Sequence, residues 1–122
     1  MEGQTTIKYL QRYLREKDLG FLACAALPPG EERQKREAQA AGDFFRKLVE
    51  EVGEVSRAIS HRQFRQPGQP IKGTLDEELW DVIYYTLCLA EFYGIDMEAA
   101  IREKEALNNQ RFHDAHPFEA GR

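Results

Sequence analysis

The stretch that decides the fold is residues 79–93, Leu-Trp-Asp-Val-Ile-Tyr-Tyr-Thr-Leu-Cys-Leu-Ala-Glu-Phe-Tyr. Only Asp81, Thr86 and Glu91 in it are not apolar. A helix that is apolar around most of its circumference has to be covered on most sides. The run is too short for a membrane span and carries Asp81 near its start. Because four helices of one chain cannot easily cover it, we expect a second subunit to do so in part.

Further helices are predicted around this one from periodicity and breaks. They cover about residues 4–18, the segment from the Pro28-Pro29-Gly30 break to about His61, a helix from Thr74 to just before Gly94, and one from Asp96 to about Phe112. Thr74 with Glu77 fits a capping box, and Asp96 is a plausible N-cap. We predict an all-α subunit of four to five helices, completed by oligomerisation. It forms a single domain over 1–122, divided into an N-terminal helix and loop (1–30), the helices of the candidate site (31–112) and a tail (113–122).

Composition excludes several classes of protein. With 17 Lys+Arg against 21 Asp+Glu the net charge is −4, which argues against a nucleic-acid binder. The first residues contain no long apolar run, so we expect no signal peptide and no membrane partner. The cysteines Cys24 and Cys88 are far apart and form no CxxC, which favours a reducing cytoplasm as the location.

Two pairs of carboxylates stand out. Glu51 and Glu54 are three residues apart on one predicted helix, and Glu78 and Asp81 are three apart on the next. Each pair lies on one helix face, so neighbouring antiparallel helices would gather four carboxylates in one small volume. Such a group needs a compensating cation, and hard oxygen ligands favour Mg²⁺ or Mn²⁺ over zinc.

Either pair alone is more often an ordinary solvated face, because charged surface helices are common. Two features favour a site. Glu78 and Asp81 open the helix that must be buried on most sides, and Gly53 lies in mid-helix between the acids, where Gly costs about 1 kcal/mol relative to Ala. We interpret Gly53 as permitting close approach of a backbone or a ligand, or as a tolerated packing contact.

The last predicted helix carries a mixed stripe. Met97 and Ile101 are followed on the same face by Lys104, Asn108 and Arg111. Lys and Arg suit phosphate oxygens. The alternative is that these cations only stabilise a helix C-terminus.

Three phrases in order carry a family resemblance: KLVEEVGEV, EELWDVIYY and GIDMEAAIREKEALNNQRF. Together they resemble the MazG-like family of all-α nucleoside triphosphate pyrophosphohydrolases, over roughly residues 40–112. The resemblance implies a homodimer or homotetramer that hydrolyses a nucleoside triphosphate between its α- and β-phosphates with Mg²⁺, giving a monophosphate and pyrophosphate. Housecleaning of non-canonical nucleotides is one cellular role that we expect from it.

The resemblance also implies residue roles. Glu51, Glu54, Glu78 and Asp81 would hold the metal. Lys104, Asn108 and Arg111 would contact phosphate oxygens. Glu50, the first acid of the phrase, would orient or deprotonate a water, with Glu51 and Glu54 beside it in the catalytic group.

Other assignments stay open at this point. Trp80, Tyr84 and Phe45 are candidates for stacking on a base, although aromatic residues at helical spacing are more often core. The loop 63–73, with Arg65 and Lys72, either closes over phosphates or is a basic surface loop. The alternative functions are a phosphoribosyl-ATP pyrophosphohydrolase and a helical oligomer without enzymatic activity.

Overall fold

In the computed structural model, residues 3–112 and 116–121 are described, and they form five helices. The helices are α1 (Ile7–Lys17), α2 (Leu19–Ala25), α3 (Glu31–Ser60), α4 (Leu75–Phe92) and α5 (Met97–Phe112). The all-α prediction is confirmed. Of the predicted tail, residues 113–115 and 122 lie outside the described residues.

The sequence analysis missed α2. Asp18 has an extended backbone (ψ 134) that ends α1, and its side chain accepts a hydrogen bond from the Gly20 amide at 2.9 Å, which starts α2. Asp is a favoured N-cap residue. A Cβ at Gly20 would lie 2.7 Å from Phe44 Cζ, so glycine permits α2 to approach α3 closely.

The long helices α3 and α4 are antiparallel neighbours. Glu51 lies beside Glu78 and Asp81, whereas the Phe44 ring lies 6.3 Å from that of Phe92 at the other end. The core forms where α1 and α2 cover this pair, and it contains Leu14, Phe21, Phe44, Leu87 and Cys88. The acids therefore lie at the end of the α3–α4 pair that is remote from the aromatic part of the core.

The apolar positions of α3 divide between two faces. Leu48 and Val55 are half-buried, and Ala58 is buried, on the same side as Glu51. Phe45, Val49, Val52 and Ile59 are all more than half exposed. Phe45, Leu48, Val52, Val55 and Ile59 are spaced alternately three and four residues apart, as in a single helical stripe, yet they do not share one buried surface.

We call the exposed apolar residues of the two long helices the outer face. It consists of Phe45, Val49, Val52 and Ile59 on α3, and Leu79 and Ile83 on α4. Leu79 is 47% exposed and Ile83 48%, so α1 and α2 leave part of α4 uncovered.

The predicted caps of α4 and α5 differ in outcome. Thr74 precedes α4 but makes no side-chain cap hydrogen bond; its hydroxyl donates to the Ile71 carbonyl at 2.6 Å. Glu77 accepts from the Gly73 amide at 3.5 Å, so the capping box is wrong although the helix start is correct. Asp96 caps α5 as predicted, because its side chain accepts from the Ala99 amide at 3.2 Å.

A buried glutamine ties α1 to the turn between α4 and α5. The Gln11 amide donates to the Ile95 carbonyl at 2.7 Å, and its oxygen accepts from the Met97 amide at 3.1 Å. Both ends of the side chain are thus satisfied by backbone, which fixes where α5 begins relative to α1.

Replacing Gln11 with Met keeps the length of the side chain but leaves these two backbone groups without their partner. We expect Gln11→Met to lower the free energy of unfolding by about 1–3 kcal/mol. Urea denaturation followed by circular dichroism measures this. Gln34→Met on the exposed start of α3 is the matched control, and an equal loss in both variants would contradict the role of Gln11.

Candidate metal centre

Three of the four predicted metal ligands come together. Glu51, Glu78 and Asp81 each offer a carboxylate oxygen, and these oxygens all lie within 4.8 Å of one another. We call these three residues the acidic cluster. All three are half-buried, so their charges are partly removed from water.

The cluster follows from helix geometry. Glu78 and Asp81 lie one turn apart on the first two turns of α4, and Glu51 faces them from the inner side of α3. Glu54 lies one turn beyond Glu51 and is exposed; its oxygens are not among the three that meet. Its charge nevertheless contributes to the shift of the Glu51 pKa, so it lies at the edge of the cluster.

The close approach of these carboxylates is unfavourable for their charged forms, as the pKa values of two of them show. Burial, a hydrogen bond with Glu78 and the charge of Asp81 raise the pKa of Glu51 to about 7. Burial and the charge of Glu77 also raise the pKa of Asp81, while Lys72 acts in the opposite direction. Like charges gathered in a partly dry site favour a shared proton or a bound cation.

The donor set fits a hard divalent cation. Three carboxylates supply only oxygen ligands, which suit Mg²⁺ or Mn²⁺, and no histidine or cysteine belongs to the group. A cation there would relieve the repulsion between the three carboxylates. The cluster therefore has both the ligand chemistry and the excess negative charge that such an ion requires.

Glu50 points away from the cluster. It is exposed, and its carboxylate lies 3.3 Å from the ammonium of Lys47 on the same helix. The predicted role of Glu50 toward a water remains a prediction.

The cationic residues of α5 lie apart from the acids. α5 packs mainly against α1, where the Lys8 amide donates to Glu98 at 2.9 Å. Lys104 and Arg111 are exposed, and Asn108 is half-buried with its amide 3.4 Å from Glu105. The charges that shift the pKa values of Glu51 and Asp81 come from α3, α4 and the preceding loop rather than from α5.

Trp80 belongs to an aromatic row on α4 next to the cluster. Its ring meets that of Tyr84 edge to face at 6.0 Å, and Tyr84 meets Tyr85 in the same way at 4.9 Å. Trp80 is half-buried, whereas Phe45 lies on the outer face. Base stacking by either ring remains a prediction.

Two further residues lie beside the cluster, and one of them, Glu77, was not predicted as a site residue. Glu77 lies half-buried beside Asp81 and accepts from the Gly73 amide; as a predicted capping residue it had already been given another role. Lys72 is the loop cation whose ammonium lies 3.7 Å from Glu77. Beyond the backbone of its own helix, no described residue has an atom within 4 Å of a hypothetical Cβ at Gly53, so none of them makes the close approach that glycine would permit.

A cleft of about 510 Å³ opens next to the cluster, between α2, α3 and α4. Its walls include Asp18 and Leu19 from the start of α2, Phe44 and Lys47 from α3, and Tyr84 and Tyr85 from α4. The Tyr84 hydroxyl donates to Asp18 at 2.5 Å, which fixes one wall. We call this the α2–α3–α4 cleft; both apolar and charged side chains line it, as in many ligand sites.

The raised pKa of Glu51 predicts a pH-dependent stability of the metal-free protein. In the unfolded chain this carboxyl titrates near 4.5, but in the folded chain near 7. Between these values the folded state binds more protons, so the free energy of unfolding falls as pH rises and levels off above about 7. We expect Glu51→Gln to raise the stability at pH 8 by about 1–2 kcal/mol and to have little effect at pH 4.5.

Thermal unfolding in EDTA at the two pH values measures this difference. Glu50→Gln is the matched control, since the neighbouring carboxylate lies outside the cluster and pairs with Lys47. A gain for Glu51→Gln that is the same at both pH values would contradict the assignment.

Comparisons with known proteins agree with this architecture. Residues 39–112 match the model of the MazG nucleotide pyrophosphohydrolase domain. Two crystal structures of iMazG from Vibrio DAT 722 are similar to the chain. The Ntag form has a TM-score of 0.66 at 31% identity over 90% of this chain and 100% of that one; the Ctag form has 0.64 at 32% identity over 86% and 99%.

A curated relative is less extensively matched. The uncharacterized protein YpjD of Bacillus subtilis (strain 168) is 34% identical over 56 residues, and the match spans only half of that protein. The matched family segment contains α4, α5 and most of α3, and therefore the whole acidic cluster. Since the family model covers more than half of the chain, the chain belongs to the MazG nucleotide pyrophosphohydrolase domain family.

Proposed function

We propose that this protein hydrolyses nucleoside triphosphates between the α- and β-phosphates, giving a nucleoside monophosphate and pyrophosphate. The acidic cluster carries the proposal, because three half-buried carboxylates gathered in one place favour a divalent cation, and a triphosphate is commonly bound through one. Membership in the family supports the same reaction class. The function in the cell, including any housecleaning of non-canonical nucleotides, is a further part of the proposal.

In this proposal Glu51, Glu78 and Asp81 hold Mg²⁺, or Mn²⁺ in its place, and Glu54 is the fourth ligand from the edge of the cluster. The ion supplies neutralisation of the polyphosphate charge and activation of a water. Glu51 and Glu54 orient the reacting groups from α3, with Glu50 available to take up a proton from water. The partly buried position of the cluster limits competition from bulk solvent and strengthens these interactions.

The α2–α3–α4 cleft is the proposed position of the nucleoside. It adjoins the acidic cluster, because Lys47 and Tyr85 in its wall lie one turn along their helices from Glu51 and Asp81, respectively. Its aromatic walls offer apolar surface to a base and its rim offers polar groups. Trp80, at the edge of this aromatic row, is kept as a candidate for contact with the base.

The proposed assembly is a homodimer or homotetramer. A second copy would cover the outer face, whose apolar side chains the chain itself leaves exposed on α3 and α4. Because α5 packs on α1 and has little influence on the acids, we expect the phosphate contacts of Lys104, Asn108 and Arg111 to depend on that second copy. Among the described residues no helix is long and apolar enough to cross a membrane.

Activity is tested by incubating the protein with canonical and modified triphosphates and phosphoribosyl-ATP, with and without Mg²⁺. We expect Mg²⁺-dependent release of pyrophosphate, and we expect Asp81→Asn to lower kcat/KM by about a hundredfold or more because a ligand charge is lost. Asp76→Asn, an exposed acid on the same helix whose carboxylate lies 4.0 Å from Arg65, is the matched control.

Two outcomes would contradict this function. The first is that the wild-type protein releases no pyrophosphate from any triphosphate. The second is that folded Asp81→Asn, checked by its thermal unfolding, retains the activity of Asp76→Asn. Turnover of phosphoribosyl-ATP alone would select the alternative enzyme class.

Association is tested by light scattering after size exclusion. We expect the wild-type protein to have at least twice the mass of one 14.1 kDa chain. Val49→Lys with Ile83→Lys places two charges on the outer face and should shift the protein toward monomer, since a buried unpaired charge is costly. Tyr9→Lys, an equally drastic change at an exposed position of α1, is the control. A monomeric wild-type protein would exclude this assembly.

A further inference from the structure

Lys47 lies on the border between the two parts of the proposed site. It is in the wall of the α2–α3–α4 cleft, and it precedes Glu51 of the acidic cluster by four residues on α3. Residues four apart on a helix are neighbours on its surface, with Cβ atoms about 6 Å apart. Two cations of α3 lie in the cleft wall, Arg36 and Lys47, and Lys47 is the one within about one helical turn of the acidic cluster.

The surroundings of Lys47 keep its ammonium charged and directed along the helix. Its Nζ lies 3.3 Å from Glu50, and this contact, together with the charges of Tyr85 and Glu51, raises the Lys47 pKa. The positive charge in turn lowers the pKa of Tyr85, against the larger effect of burial. The charge of Lys47 thus interacts both with Tyr85 in the cleft wall and with Glu51 in the acidic cluster.

The ion pair with Glu50 does not by itself explain why a lysine occupies position 47. Its Lys47 and Glu50 side chains are 56% and 62% exposed, and it joins residues three apart on a helix. Such exposed pairs contribute about 0–1 kcal/mol to stability. Fold stability therefore does not require a cation at this particular place.

The chemistry of the proposed substrate suggests a role for a cation at position 47. With the nucleoside in the cleft and the metal-bound end of the triphosphate at the acidic cluster, the group that lies between them is the phosphate attached to the nucleoside. A flexible ammonium suits a single phosphate that must be held through the reaction, because it can donate to any of its oxygens.

We propose that Lys47 is a substrate-binding residue that contacts the α-phosphate, the phosphate that stays with the nucleoside when pyrophosphate leaves. The inference rests on the proposed function and deepens it, because it assigns the cleft side of the site to the monophosphate half of the substrate. Lys47 then exchanges its contact with Glu50 for one with the phosphate when substrate binds.

The test compares three ligands that divide the substrate at the phosphate in question. Binding of the four deoxynucleoside monophosphates, the four deoxynucleosides and pyrophosphate is measured by NMR titration in the presence of Mg²⁺. We expect Lys47→Met to weaken binding of the monophosphate by about tenfold or more, the loss of a charge-assisted hydrogen bond. Binding of the deoxynucleoside and of pyrophosphate should change by less than about twofold.

Two further variants make the result specific. Lys47→Arg keeps the charge and should recover most of the affinity for the monophosphate. Lys35→Met is the matched control: Lys35 is an exposed lysine of the same helix, its ammonium lies 3.8 Å from Glu31, and it is not in the cleft wall. It should leave all three affinities as in the wild-type protein.

The outcomes separate this proposal from the proposed function. Pyrophosphate release by the wild-type protein tests the function, whereas the binding experiment needs no turnover. Equal weakening of monophosphate and deoxynucleoside, weakening of pyrophosphate instead, or no binding of any monophosphate to the wild-type protein would each overturn the role of Lys47.

Discussion

The antiparallel packing of α3 against α4 is the constraint on which the rest of the structure depends. At one end of this pair, Phe44 and Phe92 join Phe21 in the core, with ring centroids 5.2–6.3 Å apart. At the other end, the same packing brings Glu51 against Glu78 and Asp81. Aromatic burial stabilises the fold, whereas gathering like charges costs stability. The apolar end therefore helps to hold the acidic end in an arrangement that it would not adopt alone.

This division gives the acidic cluster its chemical character. Burial, a hydrogen bond with Glu78 and the charge of Asp81 together raise the pKa of Glu51 to about 7. The same repulsion favours a divalent cation, because a doubly charged ion relieves it more completely than a proton does. The repulsion among these three side chains thus lowers the stability of the metal-free protein, and the same repulsion would favour the binding of a divalent cation.

The N-terminal helices complete one side of the α3–α4 pair and leave the other side open. Asp18 ends α1, starts α2 and accepts from the Tyr84 hydroxyl, so a single carboxylate sets both a helix junction and a wall of the cleft. On the opposite side, Val49, Val52 and Ile83 remain about half exposed. The two sides of α3 and α4 therefore suit different partners: a small ligand in the cleft, and an apolar protein surface on the outer face.

The sequence by itself determined four of the five helices, their order and the two pairs of acids. Helical periodicity and the Pro and Gly breaks located four of the five helices, and the three-residue spacing of Glu78 and Asp81 placed them on one face of α4. The periodicity of the sequence did not reveal α2, because its seven residues are too few to show a helical period. Asp18, its N-cap residue, was the only feature in the sequence that indicated where it starts. Nor could the periodicity separate the two apolar faces of α3, since a stripe of Phe45, Leu48 and Val52 looks continuous until a neighbour covers one side.

Only the tertiary structure decided which charges meet. Glu50 and Glu51 are adjacent in the chain, but the 100° rotation between successive helix residues turns one toward Lys47 and the other toward α4. The packing of α3 against α4 likewise decides that Lys47 lies beside both the cleft and the acidic cluster. Residue spacing fixes what shares a helix face; the packing of that face against another helix fixes what the face does.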